Sequence, residues 1–230
     1  MLTVLPVHHG IIGQRWKKML KIDQMELGPV QTNCYIISDD QKECLIFDPG
    51  EESAKIQALV KKKNLKPIAI LLTHAHFDHI GAVDDIREHY SIPVYLHHLE
   101  KEWLSRPNLN GSGKYGALPD YRIKDADVLL ADEKHLQIGS FQMDIFHTPG
   151  HSPGSVSFSF GKEGFAIVGD TLFRGSIGRT DLIDGSEKKL LQSIQDSLLT
   201  LPEHMILYPG HGPETTPEQE MKSNPFLRGL

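Results

Sequence analysis

Histidine is concentrated in one short segment, Thr73-His74-Ala75-His76-Phe77-Asp78-His79-Ile80-Gly81. The segment follows the continuous apolar run Pro67–Leu72, which is typical of a buried strand. Alternate residues of an extended segment point the same way, so His74 and His76 can converge on one ion. The turn into the next helix then brings Asp78 and His79 toward a neighbouring position. Imidazole and carboxylate suit zinc or iron, and the lack of thiolates argues against a structural zinc finger.

Three further apolar runs each end in a His or Asp flanked by glycine, which lets the backbone approach a site closely. These are Phe141–Phe146 before His147-Thr148-Pro149-Gly150-His151, Phe165–Val168 before Gly169-Asp170, and Met205–Tyr208 before Pro209-Gly210-His211. Loops at strand ends are where binding groups collect on a rigid scaffold. Spacing alone does not choose between His147 and His151.

The candidate ligands are too many for one tetrahedral ion. They are His74, His76, Asp78, His79, His151, Asp170 and His211. They fit two metal ions, each with three protein groups, and one shared carboxylate. In such a site a bridging water loses a proton near neutral pH and becomes a nucleophile. The pattern therefore predicts hydrolysis.

Composition and charge limit the classes of protein to which this sequence can belong. The chain has 230 residues, a formal charge of −6 and 39% hydrophobic residues, as ordinary soluble globular proteins do. The acidic balance argues against a nucleic-acid or anionic-membrane partner, and no run is long enough to span a membrane. Residues 1–18 do not resemble a signal peptide and are predicted to be a loosely ordered extension. Without an export signal, Cys34 and Cys44 are predicted to be reduced thiols in the cytoplasm.

The order of apolar runs predicts a single mixed α and β domain over residues 19–230. Strand-like runs and helices alternate twice, which favours two mixed sheets packed face to face with helices outside. Helices are predicted over 52–63, 80–90, 187–200 and 217–223. Residues 106–125 are predicted to be a long loop with little structure of its own.

Four motifs in order, THAHFDH, HTPGHSPGS, GDTLF and a late GH, resemble the metallo-β-lactamase fold superfamily. The resemblance runs from about Met19 to the end of the chain. Within the superfamily the sequence is most similar to the hydroxyacylglutathione hydrolases (glyoxalase II) and their shorter, single-domain bacterial relatives. This resemblance implies an α/β (α+β) fold, a four-layer αββα sandwich with metals at one edge, and a small-molecule thioester such as S-lactoylglutathione as substrate.

The resemblance also implies roles for individual residues. The first metal would be held by His74, His76 and His151, and the second by Asp78, His79 and His211, with Asp170 bridging. His147 would be a structural residue near the site. Asp78 would in addition orient the attacking hydroxide. The implied cofactors are two divalent ions, zinc first, with iron or manganese as alternatives.

Departures from the family pattern bear on the substrate. No Cys stands near the last ligands, which argues against the two-zinc β-lactamases that use one. Only 19 residues follow His211, so the C-terminal helical region of glyoxalase II is missing. Arg179 stands where the family often has Lys, and Asp181 and Pro213 replace Tyr. We expect Arg179 to bind a substrate carboxylate; the alternative is an ordinary pair with Asp181. Another small thiol carrier or a plain ester is an alternative to glutathione.

Two other functions are considered. The segment Arg174–Asp181 resembles the persulfide dioxygenases of the same superfamily, which use one iron held by two His and one Asp. Much of the ligand set is shared, so the sequence does not separate one iron from two zincs. A non-enzymatic metal-binding module is disfavoured, because structural sites are usually closed by thiolates.

Overall fold

The computed structural model describes residues 20–114 and 119–229; the predicted extension 1–18 lies outside them. The strands are β1 Lys21–Leu27, β2 Thr32–Ser38, β3 Glu43–Phe47, β4 Lys66–Leu71, β5 Val94–His97, β6 Val128–Leu130, β7 His135–Ile138, β8 Phe141–His147, β9 Val156–Phe160, β10 Phe165–Gly169, β11 Leu172–Phe173, β12 Ser176–Ile177 and β13 Ile206–Pro209. The α-helices are α1 Ser53–Lys63, α2 Phe77–Ile80, α3 Val83–Tyr90, α4 Pro107–Asn110, α5 Glu187–Ser193 and α6 Pro217–Ser223.

The strands form two larger sheets and one short hairpin. The first sheet has the order β1-β2-β3-β4-β5-β6, antiparallel over β1 to β3 and parallel from β3 to β6. The second has the order β13-β10-β9-β8-β7, with β10 and β13 parallel and the other neighbours antiparallel. Strands β2, β9 and β10 are buried along their whole length, since they are covered on both faces.

Three apolar clusters fill the spaces between four layers. The inner faces of the two sheets meet in one cluster, where the rings of Phe47 and Phe158 pack edge to face at 5.4 Å. A second cluster joins the outer face of the first sheet to α1, through Ile56 and Val60, and to α3. A third joins the outer face of the second sheet to α5 through Leu190. The predicted αββα sandwich is confirmed.

The structure differs from the sequence-based expectation in four places. The helix predicted over 80–90 is two helices, α2 and α3, because the chain turns at Gly81 and Ala82. Within the segment 106–125, the described residues 106–114 form α4 and a short 3-10 turn, organised around the buried amide of Asn110. The helix predicted over 187–200 is α5 followed by one π-helical turn, Ile194–Leu198. The hairpin of β11 and β12 was not predicted.

The topology brings four strand ends to one edge of the sandwich. The parallel strands β3 and β4 end before Asp48 and Thr73, and the parallel strands β10 and β13 end before Asp170 and His211. Because parallel strands share their carboxyl ends, side chains that are distant in sequence meet there. Among the described residues, no helix has both the length and the apolar character needed to cross a bilayer.

Candidate metal centre

All seven predicted ligands lie together at this edge. Their side chains form three overlapping donor groups, with the ligand atoms of each group within 4.8 Å of one another. The groups are His74, His76 and His151; His74, His79 and Asp170; and Asp78, His79 and His211. Apart from His211 and Asp78, which are partly exposed, these side chains are nearly or completely buried.

The carboxylate of Asp170 lies between the groups. Its Oδ1 is 3.5 Å from His79 Nε2, and its Oδ2 is 3.5 Å from both His151 Nε2 and His211 Nε2. One carboxylate thus faces histidines of both outer groups. This is the arrangement that a bridging ligand requires.

Hydrogen-bond partners assign the tautomers of three histidines. The Thr73 hydroxyl donates to Asp48 Oδ2 at 2.7 Å, so it accepts from His74 Nδ1 at 3.0 Å. His79 Nδ1 donates to Asp48 Oδ2 at 3.1 Å, and His151 Nδ1 donates to the Arg179 carbonyl at 2.8 Å. In each ring the proton is on Nδ1, which leaves the Nε2 lone pair directed into the cluster. Metal-binding imidazoles are commonly held in this way.

The remaining donors are also held in position. His76 Nδ1 is 2.8 Å from His151 Nε2, so these two nitrogens face each other across the first group. Asp78 Oδ2 accepts a hydrogen bond from the Thr32 hydroxyl at 2.9 Å and lies 3.2 Å from His211 Nε2.

Burial and charge set the protonation states of the cluster. Burial lowers the pKa of His74 well below its usual value and that of His76 to about 3, so both imidazoles are neutral. Burial alone would raise the pKa of Asp170, but the neighbouring imidazoles, His79 first, lower it to about 2. Burial opposes protonation of His79 as well, yet the carboxylates of Asp78 and Asp170 raise its pKa well above the usual range. The same carboxylates raise the pKa of His211 against the effect of burial. A cation bound among these groups would displace the second ring proton from His79 and His211, because only a deprotonated nitrogen can be a ligand.

Three buried polar atoms of the cluster lack hydrogen-bond partners and so show how its residues fit metal ions. His74 Nε2, His79 Nε2 and Asp170 Oδ1 are buried and have no hydrogen-bond partner among the described residues. Such atoms are costly unless something binds them. All three belong to the donor groups, and nitrogen with carboxylate oxygen suits zinc, iron or manganese. The residues therefore fit a dinuclear metal centre, and they do not select one metal.

Two glycines allow the backbone to pass against Asp170. A Cβ on Gly210 would lie 2.0 Å from Asp170 Oδ1 and 2.8 Å from the ring of His79. A Cβ on Gly178 would lie 1.9 Å from the Asp170 carbonyl oxygen. Side chains at these positions would enter the space that the donor atoms share.

Two buried carboxylates near the cluster were not predicted as functional. Asp48 orients His79 and also accepts a hydrogen bond from the Thr73 amide at 2.8 Å. Glu100 accepts from the backbone amides of Ala75 at 2.6 Å and Gly154 at 2.7 Å, and so joins two ligand-bearing loops. For Asp48 the sequence held one signal: it follows strand β3 directly, as the candidate ligand Asp170 follows β10.

The loop that carries His211 is fastened to strand β2. The Asn33 amide nitrogen donates to the Gly210 carbonyl at 2.7 Å, and its side chain donates to the carbonyls of Pro209 and Gly212. Tyr35 Oη donates to the Pro209 carbonyl at 2.6 Å. These bonds join residues far apart in the chain, so no local sequence pattern predicts them.

His147 and Arg179 lie outside the cluster. His147 is exposed, donates from Nε2 to the Pro153 carbonyl at 2.9 Å and stacks on His97. The Arg179 guanidinium makes two 2.7 Å hydrogen bonds to the Asp181 carboxylate, which is the alternative considered for it. Arg179 also lines the cavity into which the cluster opens.

Two curated relatives are similar over nearly the whole chain. A probable metallo-hydrolase of Bacillus subtilis, YqgX, is 54% identical over 212 residues, which cover 92% of this chain and 99% of the relative. The hydroxyacylglutathione hydrolase GloC of Haemophilus influenzae is 33% identical over 214 residues, 90% of this chain and 98% of the relative.

Solved structures agree on the fold. The chain superposes on the B3 metallo-beta-lactamase BLEG-1 with a TM-score of 0.88 at 54% identity, covering 92% of this chain and all of that one. For TTHA1623 in a di-iron-bound form the TM-score is 0.78 at 39% identity, covering 89% and 100%. For ETHE1 from Myxococcus xanthus it is 0.74 at 25% identity, covering 89% and 83%. Residues 27–211 match the model of the metallo-beta-lactamase superfamily, and the chain belongs to that superfamily.

Proposed function

We propose that this protein is a dinuclear metal-dependent hydrolase of thioesters, with S-lactoylglutathione or a related acyl-thiol as substrate. The observation that carries the proposal is the set of adjacent donor groups sharing Asp170, which opens into a cavity of about 530 Å³. A relative named as a hydroxyacylglutathione hydrolase supports the thioester, and one named as a probable metallo-hydrolase supports hydrolysis.

The reaction adds water to the acyl carbon and breaks its bond to sulfur, so the products are a carboxylate, a thiol and a proton. When bound, the metal ions supply Lewis acidity toward the carbonyl and lower the pKa of a water molecule. His74, His76 and His151 would hold the first ion, and Asp78, His79 and His211 the second. Asp170, which faces histidines of both groups, would be shared between them.

Asp78 has a second proposed role, in orienting the attacking water. The Thr32 hydroxyl donates to Asp78 Oδ2 and prevents the carboxylate from rotating freely. Oδ1 is then the atom that accepts a proton of the water and directs its lone pair toward the carbonyl. Such orientation stabilises the attack geometry at little entropic cost during the reaction.

Substrate binding is assigned to Arg179. Its guanidinium lines the cavity, and its carbonyl oxygen holds His151. An anionic group of the substrate would compete with, or add to, the Asp181 carboxylate that the guanidinium now binds. Arg179 thus joins anion binding to the orientation of one proposed ligand.

The test is hydrolysis of S-lactoylglutathione by protein reconstituted separately with zinc, iron and manganese. Asp170→Ala should lose turnover by orders of magnitude, whereas His89→Ala, an exposed histidine on α3, should keep wild-type turnover. Absence of thioester hydrolysis with all three metals, or an active Asp170→Ala enzyme, would contradict the proposal.

A persulfide dioxygenase is the second candidate, supported by the Arg174–Asp181 resemblance and the similarity to ETHE1. It needs one iron, whereas the donor groups here suffice for two ions. Oxygen consumption by the iron-loaded protein with glutathione persulfide, without thioester hydrolysis, would favour it. The similarity to BLEG-1 makes nitrocefin hydrolysis a necessary third assay, because the missing Cys argues only against sites with a thiolate ligand.

A further inference from the structure

The cavity above the metal centre has mainly apolar walls. His76, Asp78, His151, Asp170 and His211 form its floor. Apolar side chains from separate segments surround them, and four of these come from the turn before β2, the start of α2, strand β11 and the loop before α5. They are Val30, Phe77, Phe173 and Leu182.

These four side chains have no place in the described hydrophobic cores. None belongs to the three apolar clusters of the described residues, whereas Leu109, Ile177 and Ile183 in the same cavity pack against them. Val30 is 46% exposed. Phe77, Phe173 and Leu182 are half-buried. Apolar side chains that gather around one concave site and remain partly accessible there are typical of ligand contacts.

Above the metal centre, the polar side chains that line the cavity are Asn110, Lys114, Ser176 and Arg179. The Ser176 hydroxyl donates to the Ile177 carbonyl at 3.5 Å. The Asn110 amide is buried and bonds to the Trp103 and Tyr121 carbonyls and to Ser112. The Arg179 guanidinium binds Asp181. A polar acyl group such as lactoyl needs a partner for its hydroxyl, and a buried hydroxyl without one costs about 1–3 kcal/mol. An apolar acyl chain needs only the walls that are present.

We propose that the cavity binds an apolar acyl chain, so that thioesters of medium-length fatty or branched acyl groups are preferred over those of hydroxyacyl groups. This inference rests on the proposed function and specifies the acyl half of its substrate. Water adds to the acyl carbon and the carbon–sulfur bond breaks, which releases an apolar carboxylate, the thiol and a proton. Val30, Phe77, Phe173 and Leu182 determine the acyl specificity.

Binding can be measured without turnover. S-methyl-, S-butyl- and S-hexylglutathione are thioethers with no carbonyl to hydrolyse, so calorimetry on the zinc-loaded protein reports the cavity alone. Each added methylene should tighten the Kd about two- to fourfold, or roughly 30-fold or more from methyl to hexyl. A Kd that does not change along the series would overturn the inference.

Matched variants show where the alkyl chain of the ligand binds. Leu182→Asn and, as a second variant on an exposed turn, Val30→Asn should each flatten the dependence of Kd on alkyl length. Leu129→Asn, an exposed leucine of β6 that does not line the cavity, should leave the series unchanged. If both cavity variants kept the full dependence of Kd on alkyl length, the alkyl chain would bind elsewhere. The assignment of these side chains to acyl binding would then be wrong.

Turnover assays distinguish a failure of the acyl specificity from a failure of the proposed hydrolase function. We expect kcat/KM for S-hexanoylglutathione to exceed that for S-lactoylglutathione at least about tenfold, because binding of a longer apolar chain is realised in the transition state. If lactoyl is hydrolysed as well as hexanoyl, the hydrolase stands and the acyl specificity is overturned. If neither is hydrolysed while the thioethers show the length dependence, the proposed function fails and the apolar ligand site stands.

Discussion

His79 Nδ1 donates a hydrogen bond to Asp48 Oδ2 at 3.1 Å, and both side chains are completely buried. Asp48 follows β3 and His79 lies in α2, so this bond ties two parallel strand ends together at the metal centre. The same carboxylate accepts from the Thr73 amide and hydroxyl. One side chain therefore orients His79 directly and His74 through Thr73.

Asp48→Asn should weaken metal binding. Both carboxylate oxygens of Asp48 now accept hydrogen bonds, and in asparagine an NH₂ group replaces one of them. Depending on the orientation of the side-chain amide, this NH₂ faces either the Thr73 amide or the His79 ring. Loss of such a partner typically costs 10–100-fold in metal affinity. Zinc titration against a competing chelator measures this. Asp39→Asn, a buried aspartate far from the cluster, controls for a general loss of packing. Equal affinity in both variants would contradict the role.

Glu100→Gln should destabilise the loops that carry His74, His76 and His151. Glu100 is fully buried, and either orientation of the new amide sets NH₂ against the amide of Ala75 or of Gly154. The cost is about 1–3 kcal/mol of unfolding free energy. Urea denaturation of the metal-free protein measures it, with the exposed Glu102→Gln as control. If Glu100→Gln had the unfolding free energy of the wild type, the hydrogen bonds of Glu100 to the two loops would not be needed for stability.

His97 should make stability depend on pH. Burial, with the neighbouring imidazoles of His147 and His98, lowers its pKa to about 4, against about 6.5 in an unfolded chain. Between these values the unfolded state binds the extra proton. The contribution of His97 is therefore complete above about pH 6.5 and is lost as pH falls toward about 4.

The check is urea denaturation of the metal-free protein at pH 7 and pH 5. His97→Gln should lose less stability between the two than wild type, whereas the exposed His89→Gln should behave as wild type. The same pH dependence in wild type and His97→Gln would refute this assignment.

Arg179 and Asp181 should act in opposite directions on substrate binding. Arg179→Ala should raise KM for S-lactoylglutathione about two- to tenfold, with a smaller effect on kcat, since an exposed charge contributes modestly. Asp181→Asn should lower KM, because it removes the carboxylate that now binds the guanidinium. Arg174→Ala, exposed beside β11, serves as control. An unchanged KM for Arg179→Ala would remove it from the site.

Local patterns in the sequence predicted the layers and the candidate ligands, because apolar runs and the glycines and histidines after them are contiguous. The sequence did not choose between His147 and His151; the structure directs His151 Nε2 into the cluster and leaves His147 exposed. Asp48 and Glu100 were missed because their partners are distant in the chain. The break between α2 and α3 was missed because Gly81 packs against Gly50 and Tyr121, a contact without any local sign.

The most direct test of the dinuclear centre is native mass spectrometry of protein reconstituted with excess zinc and then dialysed. We predict two zinc ions per chain in the wild type. We predict one in His211→Ala, which removes a donor from the group that also holds Asp78 and His79. A wild-type protein that never holds more than one ion, even in excess zinc, would contradict the account.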